Sequence, residues 1–369
     1  MIAGAIAQKP GCAGHAWQFL QYLLGFRRLG WEVCFIDDVG GADPVAGRRH
    51  LADVMGWAGL DGAWSLGLPG GERAGLDRAQ VLARVRDADL LLNVMGFETD
   101  EELLGAARLR VFLDTDPGFG QMWHALGLAD IFAGHDAHVT IGERIGAPSC
   151  SVPTCGVDWI STRQPVVLAA WGAAPPVPDG AFTSVASWRG AYGPIDYGGR
   201  RYGLRVHQLR RFAELPVHAP GRFELALDIH PADAADAERL RGSGWRLRPP
   251  GEVAATLDGY RDYIRGSAAE VMVAKGMYVD SRSGWFSERS ACYLASGRPV
   301  LAQDTGLGGL YPLGEGLLAF STLEEAIAGA EELRADPSRH AAAARALAEE
   351  HFDSDRVLAR LLEQLSRAA

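Results

Sequence analysis

The sequence predicts an α/β protein of two doubly wound, Rossmann-like domains facing a cleft, followed by a C-terminal helical tail. Three observations predict it. Short apolar runs of strand length alternate with helical stretches, the pattern of parallel sheets with helices on both faces. The pattern breaks at a segment rich in proline and small residues, QPVVLAAWGAAPPVPDG, and then restarts. The chain has 369 residues, too many for one ordinary core and comfortable for two.

In the first half, residues 2–7 read as a buried strand and residues 14–29 as the helix after it. A strand over 33–37 ends in acids. Residues 87–96 contain the strand LLNVM, and 101–107 form a helix. Arg110–Asp114 (RVFLD) is the next strand and 139–142 a further one. Residues 152–180, with Pro165, Pro175, Pro176 and Pro178, are the linker. The second half opens with a strand over 182–187, a helix over 204–214 and a strand over 223–229. A short extended piece at 245–247 precedes a helix over 253–264, and AEVMVA at 269–274 is again of strand length. Residues 282–287 form a Ser/Gly-rich loop, after which Ser287, Glu288 and Ser290 suit a helix start. Gly297 ends that helix, Pro299 bars its continuation, and 300–302 is the next buried strand. Leu317–Phe320 (LLAF) is the last strand, 322–333 a helix, and 341–350 and 355–365 the tail. The domains are therefore expected at 1–165 and 180–340, with 341–369 as terminal helices. Ligands in such folds bind at the carboxyl ends of the strands, where loops of both domains meet.

Composition narrows the function. Lys plus Arg number 36 against 46 Asp plus Glu, a formal net charge of −10, which argues against nucleic acid as a partner. No apolar run approaches the roughly 20 residues of a membrane span. The N-terminal MIAGAIAQKPG lacks a basic leader and a full apolar region, so it reads as a strand and not a signal peptide. Five cysteines at 12, 34, 150, 155 and 292 suggest reduced thiols in a cytoplasmic protein. Cys150 and Cys155 have no second pair nearby to complete a metal site. No Gly-x-Gly-x-x-Gly follows the first strand, which disfavours a dinucleotide-dependent dehydrogenase.

The most informative block is residues 275–306, KGMYVDSRSGWFSERSACYLASGRPVLAQDTG. A helix start behind a small-residue loop offers free N–H groups and a positive dipole end, an anion site. With its Ser296-Gly297-Arg298-Pro299-Val300 ending and its Gln303-Asp304-Thr305-Gly306 turn, the block resembles the donor-binding region of GT-B-fold glycosyltransferases, which use nucleoside-diphosphate sugars. Residues 11–33, GCAGHAWQFLQYLLGFRRLGWEV, are similar to the first loop and helix of the same fold. The resemblance touches both halves of the chain. It implies an acceptor-side first domain, a donor-binding second domain, and a last helix that crosses back, for which this tail is long enough.

It also implies roles. His15, in the first loop, matches the base that takes a proton from the acceptor hydroxyl. Asp114 or Asp116, after the strand RVFLD, would orient it or serve as the base itself. Asp-Thr-Asp also mimics a metal motif of a different glycosyltransferase fold, but GT-B enzymes usually need no metal or other cofactor for catalysis. Asp116-Pro117-Gly118 is equally a good turn. Ser187 and Arg189 end the first strand of the second domain and would approach the donor phosphates. Arg248, with Pro249 and Pro250, lies where the base is cradled. Lys275, Ser283, Gly284, Ser287, Glu288, Arg289 and Ser290 are the diphosphate and ribose candidates, and Gln303 and Asp304 would read sugar hydroxyls. Many retaining members carry two glutamates eight residues apart; here those positions hold Gly284 and Cys292, which favours inversion. His135 and His138 show no third ligand and read as polar loop residues. The expectation is an inverting, metal-independent transferase acting on a small-molecule or glycan acceptor. An epimerase of the same fold and a non-catalytic nucleotide- or glycan-binding protein remain open. Residues 40–75 and 191–201 are the loops expected to set acceptor choice.

Overall fold

The computed structural model describes residues 1–368. The first half supplies β1 (Ile2–Gly4), β2 (Phe35–Asp38), β3 (Trp64–Gly67), β4 (Arg73–Gly75), β5 (Leu91–Val94), β6 (Arg110–Asp114), β7 (Ala137–Thr140) and β8 (Trp159–Ser161). Among the described residues these make one sheet in the order β4-β3-β2-β1-β5-β6-β7-β8. All neighbours are parallel except β3 and β4. The second half supplies β9 (Ala181–Ser187), the hairpin β10 (Ile195–Tyr197) and β11 (Arg200–Tyr202), β12 (Arg222–Asp228), β13 (Trp245–Arg248), β14 (Ala269–Met272), β15 (Val300–Gln303) and β16 (Leu317–Phe320). Six of these form an all-parallel sheet, β13-β12-β9-β14-β15-β16. Each sheet reverses its winding at its first strand, between β1 and β5 and between β9 and β14. Those switch points open crevices at the strands' carboxyl ends.

The inner strands are buried on both faces, as parallel strands must be when helices cover them: every residue of β5 and β14 is buried. The helix Ala13–Arg28 follows β1, buries eleven of its residues, and closes on Arg27 and Arg28 at its negative end. The helix Glu288–Ala295 starts at Ser287, whose side chain makes no capping bond.

Several elements depart from expectation. The helices Pro44–Trp57 and Arg78–Asp87 and the strands β3 and β4 fill the stretch between β2 and β5. A short helix, Gly276–Ser281, stands between β14 and the expected loop over 282–287, and Arg282 turns the chain in left-handed geometry at φ 51°. The proline-rich connection is held firmly. Val166 N–H donates to the Phe352 carbonyl at 2.7 Å and Ser354 N–H to the Val166 carbonyl at 2.9 Å. Trp171, fully buried, packs on Trp17 and Tyr260. The terminal helix Ser354–Ala368 lies on the helix Ala13–Arg28, with Asp355 accepting from Arg28 at 2.8 and 2.7 Å. A Cβ at Gly25 would meet Leu358 at 2.5 Å, so this close approach requires glycine.

Candidate functional site

A cleft of about 600 Å³ opens between the two sheets at their carboxyl ends. The first domain lines it with the loop after β1 and the start of the helix Ala13–Arg28, including Lys9, Cys12, Gly14 and His15, and with Thr115 after β6. The second domain contributes Ser187, Arg205, Pro250, Gly251, Tyr260, Trp285 and the helix start Ser287-Glu288-Arg289. Gln164, on the connection between domains, forms part of the floor. The two walls touch: Ala13 N–H donates to the Ala254 carbonyl at 2.9 Å. Gly14 permits this approach, since a Cβ there would stand 3.1 Å from the Tyr260 ring.

His15 is in the cleft wall, where its expected role would need it. Its Nε2 lies 2.9 Å from the Ala5 carbonyl. A carbonyl only accepts, so Nε2 carries the hydrogen and Nδ1 keeps a lone pair. Burial pushes the ring's pKa down to about 3, with nearby Lys9 adding to the effect and the Ala5 carbonyl opposing it. His15 is therefore neutral at physiological pH.

Neither Asp114 nor Asp116 hydrogen-bonds His15, so the carboxylate orienter expected from the sequence is replaced by the Ala5 carbonyl. Asp114 accepts from Gln121 Nε2 at 2.7 Å, Thr140 Oγ1 at 2.8 Å and the Asp116 N–H at 3.0 Å. Burial raises its pKa to about 6 despite these bonds. Asp116 turns toward the second domain and takes Lys275 Nζ at 2.9 and 2.7 Å, together with the Tyr278 hydroxyl.

The expected donor residues divide in two. Ser187, Ser287, Glu288 and Arg289 line the cleft. Arg289 is fixed by Glu270 at 2.5 Å and by the Val185 carbonyl at 2.8 Å, and the buried Glu270 carboxylate holds its charge. Burial raises the Glu288 carboxyl.

The others are engaged inside the protein. Arg189 pairs with Asp233 at the surface. Arg248 pairs with Glu252 at 3.2 Å and Glu224 at 3.7 Å. Lys275 is held by Asp116 inside a ring of Phe119, Tyr192 and Tyr278. Ser283 and Gly284 sit in a turn bonded to Arg144 and Thr305. Ser290 is fully buried. Gln303 accepts from the Ala274 N–H and donates to Gln208. Asp304 accepts from the Gly306 and Leu307 N–H groups. For the charged and amide side chains the nearest complementary group belongs to the protein and takes the side chain, while the Ser283 and Ser290 hydroxyls are buried without a partner.

Sequence reasoning missed Arg205. It opens the helix Arg205–Arg211 and reaches the cleft with no carboxylate partner and no hydrogen bond to its guanidinium among the described residues; its Nε is buried and unsatisfied. Burial, with Arg289 nearby, lowers its pKa to about 10. Tyr260, Gln164 and Lys9 were also missed. No spacing marks any of them, and Arg205 stands among other arginines in RRYGLRVHQLRR.

No protein-family model and no curated protein sequence matches the chain. Solved structures match along its whole length. HepE from Anabaena, in a complex with UDP-glucose, aligns with a TM-score of 0.60 at 12% identity, covering 99% of this chain and 98% of that one. Sucrose-phosphate synthase from Thermosynechococcus elongatus gives 0.56 at 11%, covering 100% and 99%. A Listeria monocytogenes protein assigned as a UDP-N-acetylglucosamine 2-epimerase gives 0.52 at 13%, covering 99% and 95%. At these identities the likeness establishes the fold. The GT-B arrangement implied by the resemblance is the arrangement found.

Proposed function

We propose that the chain is a glycosyltransferase that moves a sugar from a nucleoside-diphosphate sugar to an acceptor hydroxyl, with inversion and without a metal. The observation that carries the reading is Arg205, a cleft guanidinium whose Nε is buried without a hydrogen-bond partner and which forms no ion pair among the described residues. Such a group costs free energy unless a ligand supplies the charge. A diphosphate does so, and the uncapped helix start at Ser287 adds free N–H groups. The likeness to HepE, solved with UDP-glucose, supports the same ligand class.

In this reading His15 Nδ1 takes the acceptor hydroxyl's proton as its oxygen attacks the anomeric carbon. The bond from that carbon to the diphosphate oxygen breaks, and the charge left on the diphosphate falls to Arg205 and the helix start. Inversion is supported by Gly284 and Cys292, which offer no carboxylate where a retaining enzyme of the resemblance would carry one. The acceptor is a small molecule or glycan, and the setting is cytoplasmic. No helix of the described residues is long and apolar enough to cross a membrane.

A thermal-shift screen with UDP, TDP, GDP, ADP and NADH, with and without magnesium, tests the donor site. A ligand at a hundred times its dissociation constant adds about 2.7 kcal/mol. A shift with one diphosphate, independent of magnesium, is the expected result; a shift with NADH alone would replace the proposal with an oxidoreductase. Isomerised donor in an acceptor-free incubation would favour the second reading, an epimerase, which the likeness to the Listeria protein raises.

His15→Ala is expected to abolish transfer and keep donor binding. The pH profile gives an independent check. With the free protein's His15 near 3, kcat/KM shows no histidine limb between pH 5 and 8. A bound diphosphate raises that pKa by its negative charge, so an acid limb appears in kcat alone. The stability sign follows: the unfolded ring binds a proton near pH 6.5 and the folded ring only near 3. His15 therefore penalises folding progressively as pH falls between those values.

A further inference from the structure

Gln164 lies on the connection between β8 and β9, buried to 4% exposure. The connection is rigid here, because the Val167 N–H donates to Gln21 Oε1 at 2.8 Å. Gln164 Oε1 accepts from the Tyr22 hydroxyl at 3.4 Å. Its Nε2 has no acceptor among the described residues and is not sealed from the cleft that Gln164 lines. Across that floor stands Glu288. Both of its bonds among the described residues, from Gln21 Nε2 at 3.1 Å and Cys292 Sγ at 2.9 Å, fall on Oε1, leaving Oε2 without a donor there. Gln164 and Glu288 thus present a free N–H donor and a free carboxyl oxygen to the same cleft.

We infer that Gln164 is a specificity-determining residue that donates its amide to a sugar-ring hydroxyl of the bound nucleotide sugar, beside Glu288 as acceptor. The inference rests on the proposed function. A hydroxyl is the uncharged group that both donates and accepts, so it satisfies the two free atoms together. An ionised phosphate does not, because it has no hydrogen to give the Glu288 oxygen. A site built to hydrogen-bond a hydroxyl rejects the analogue that lacks it, since its own polar groups are then left unpaired. Two rings in such a ligand carry hydroxyls, the nucleoside's ribose and the transferred sugar.

The test uses isothermal titration of the full chain and of Gln164→Met and Gln164→Ala, with each variant's melting temperature confirming that it folds. The probe is UDP, or GDP or ADP where the screen selects it, beside its 2′-deoxy and 3′-deoxy analogues and its glucose conjugate. Each variant is expected to bind the diphosphate about 5-fold more weakly. It should bind one deoxy analogue as the unsubstituted protein does, which identifies the ribose hydroxyl. If only the glucose conjugate weakens, the hydroxyl belongs to the transferred sugar and the inference stands with that source. Equal affinity of variants and unsubstituted protein for all four ligands overturns it. So does a uniform loss across all four, or a change confined to preference among bases. An unsubstituted protein that binds no nucleoside diphosphate strikes the proposed function itself, and this inference falls with it.

Discussion

Replacing Arg205 with methionine is expected to weaken nucleoside-diphosphate binding roughly 10- to 100-fold while leaving the unliganded protein as stable as before, or more so. The two halves of this result come from one fact. The Arg205 Nε is buried without a partner in the unliganded cleft, so the fold bears its desolvation with nothing in return. Methionine keeps the apolar stem and removes that burden. A hydrogen bond from a charged group to a phosphate is worth about 1.5–3 kcal/mol, which sets the loss of affinity. The neighbouring arginines behave differently. Removing Arg289 leaves Glu270, which is completely buried, without its partner, and is expected to destabilise the fold by about 3–5 kcal/mol. Arg189 is exposed on the buried Asp233, which Arg210 also neighbours, so Arg189→Ala is expected to leave ligand binding unchanged and to cost less stability than removing Arg289. Titration calorimetry and urea unfolding of the three variants separate the cases. An Arg205→Met protein that binds every nucleoside diphosphate normally would remove Arg205 from the site and with it the main support for the proposed function.

That contrast shows where the sequence is legible and where it is silent. Strands buried on both faces announce themselves as apolar runs, and Arg110–Asp114 and Leu317–Phe320 have the expected bounds. Elements with little apolar content do not. The strand Trp64–Gly67 contains a serine and a glycine, and the helix Arg78–Asp87 buries only Val81 and Val85. Both went unread, and with them the outer part of the first domain. At the site, the helix start at Ser287 was legible because a loop of small residues before an apolar helix has a physical meaning of its own. The cations were not. Lys275, Arg189, Arg248 and Arg205 look alike in one dimension. What separates them is whether an acid from a distant segment meets them, and Asp116 lies 159 positions before Lys275. Three of the four are neutralised that way, and the one without a partner was the one no pattern marked.

The Asp116–Lys275 pair should show its cost most clearly when it is broken from the acid side. Asp116→Asn keeps the size and one acceptor oxygen but removes the charge. It leaves a lysine whose side chain is 16% exposed, ringed by aromatic faces and near the positive Arg205 and Lys9. Losing one member of a pair this well buried costs about 3–5 kcal/mol. Because Asp116 follows β6 in the first domain and Lys275 follows β14 in the second, part of that cost should appear as weaker coupling between domains, seen as a broader urea transition. The pH dependence identifies the cause. Burial already pulls Lys275 below its usual pKa of 10.5, and Asp116 is the main influence pulling it back up. In the variant the folded pKa falls further while the unfolded value stays put. Between the two, the unfolded chain binds more protons than the folded one, so stability rises with pH across that window. The deficit relative to the unsubstituted protein is therefore expected to shrink between pH 7 and pH 9.5. The double variant Asp116→Asn, Lys275→Met should recover most of the loss at both pH values, since no buried charge remains. A deficit that is constant with pH and persists in the double variant would show that Asp116 acts through the Tyr278 hydroxyl and packing instead of through charge.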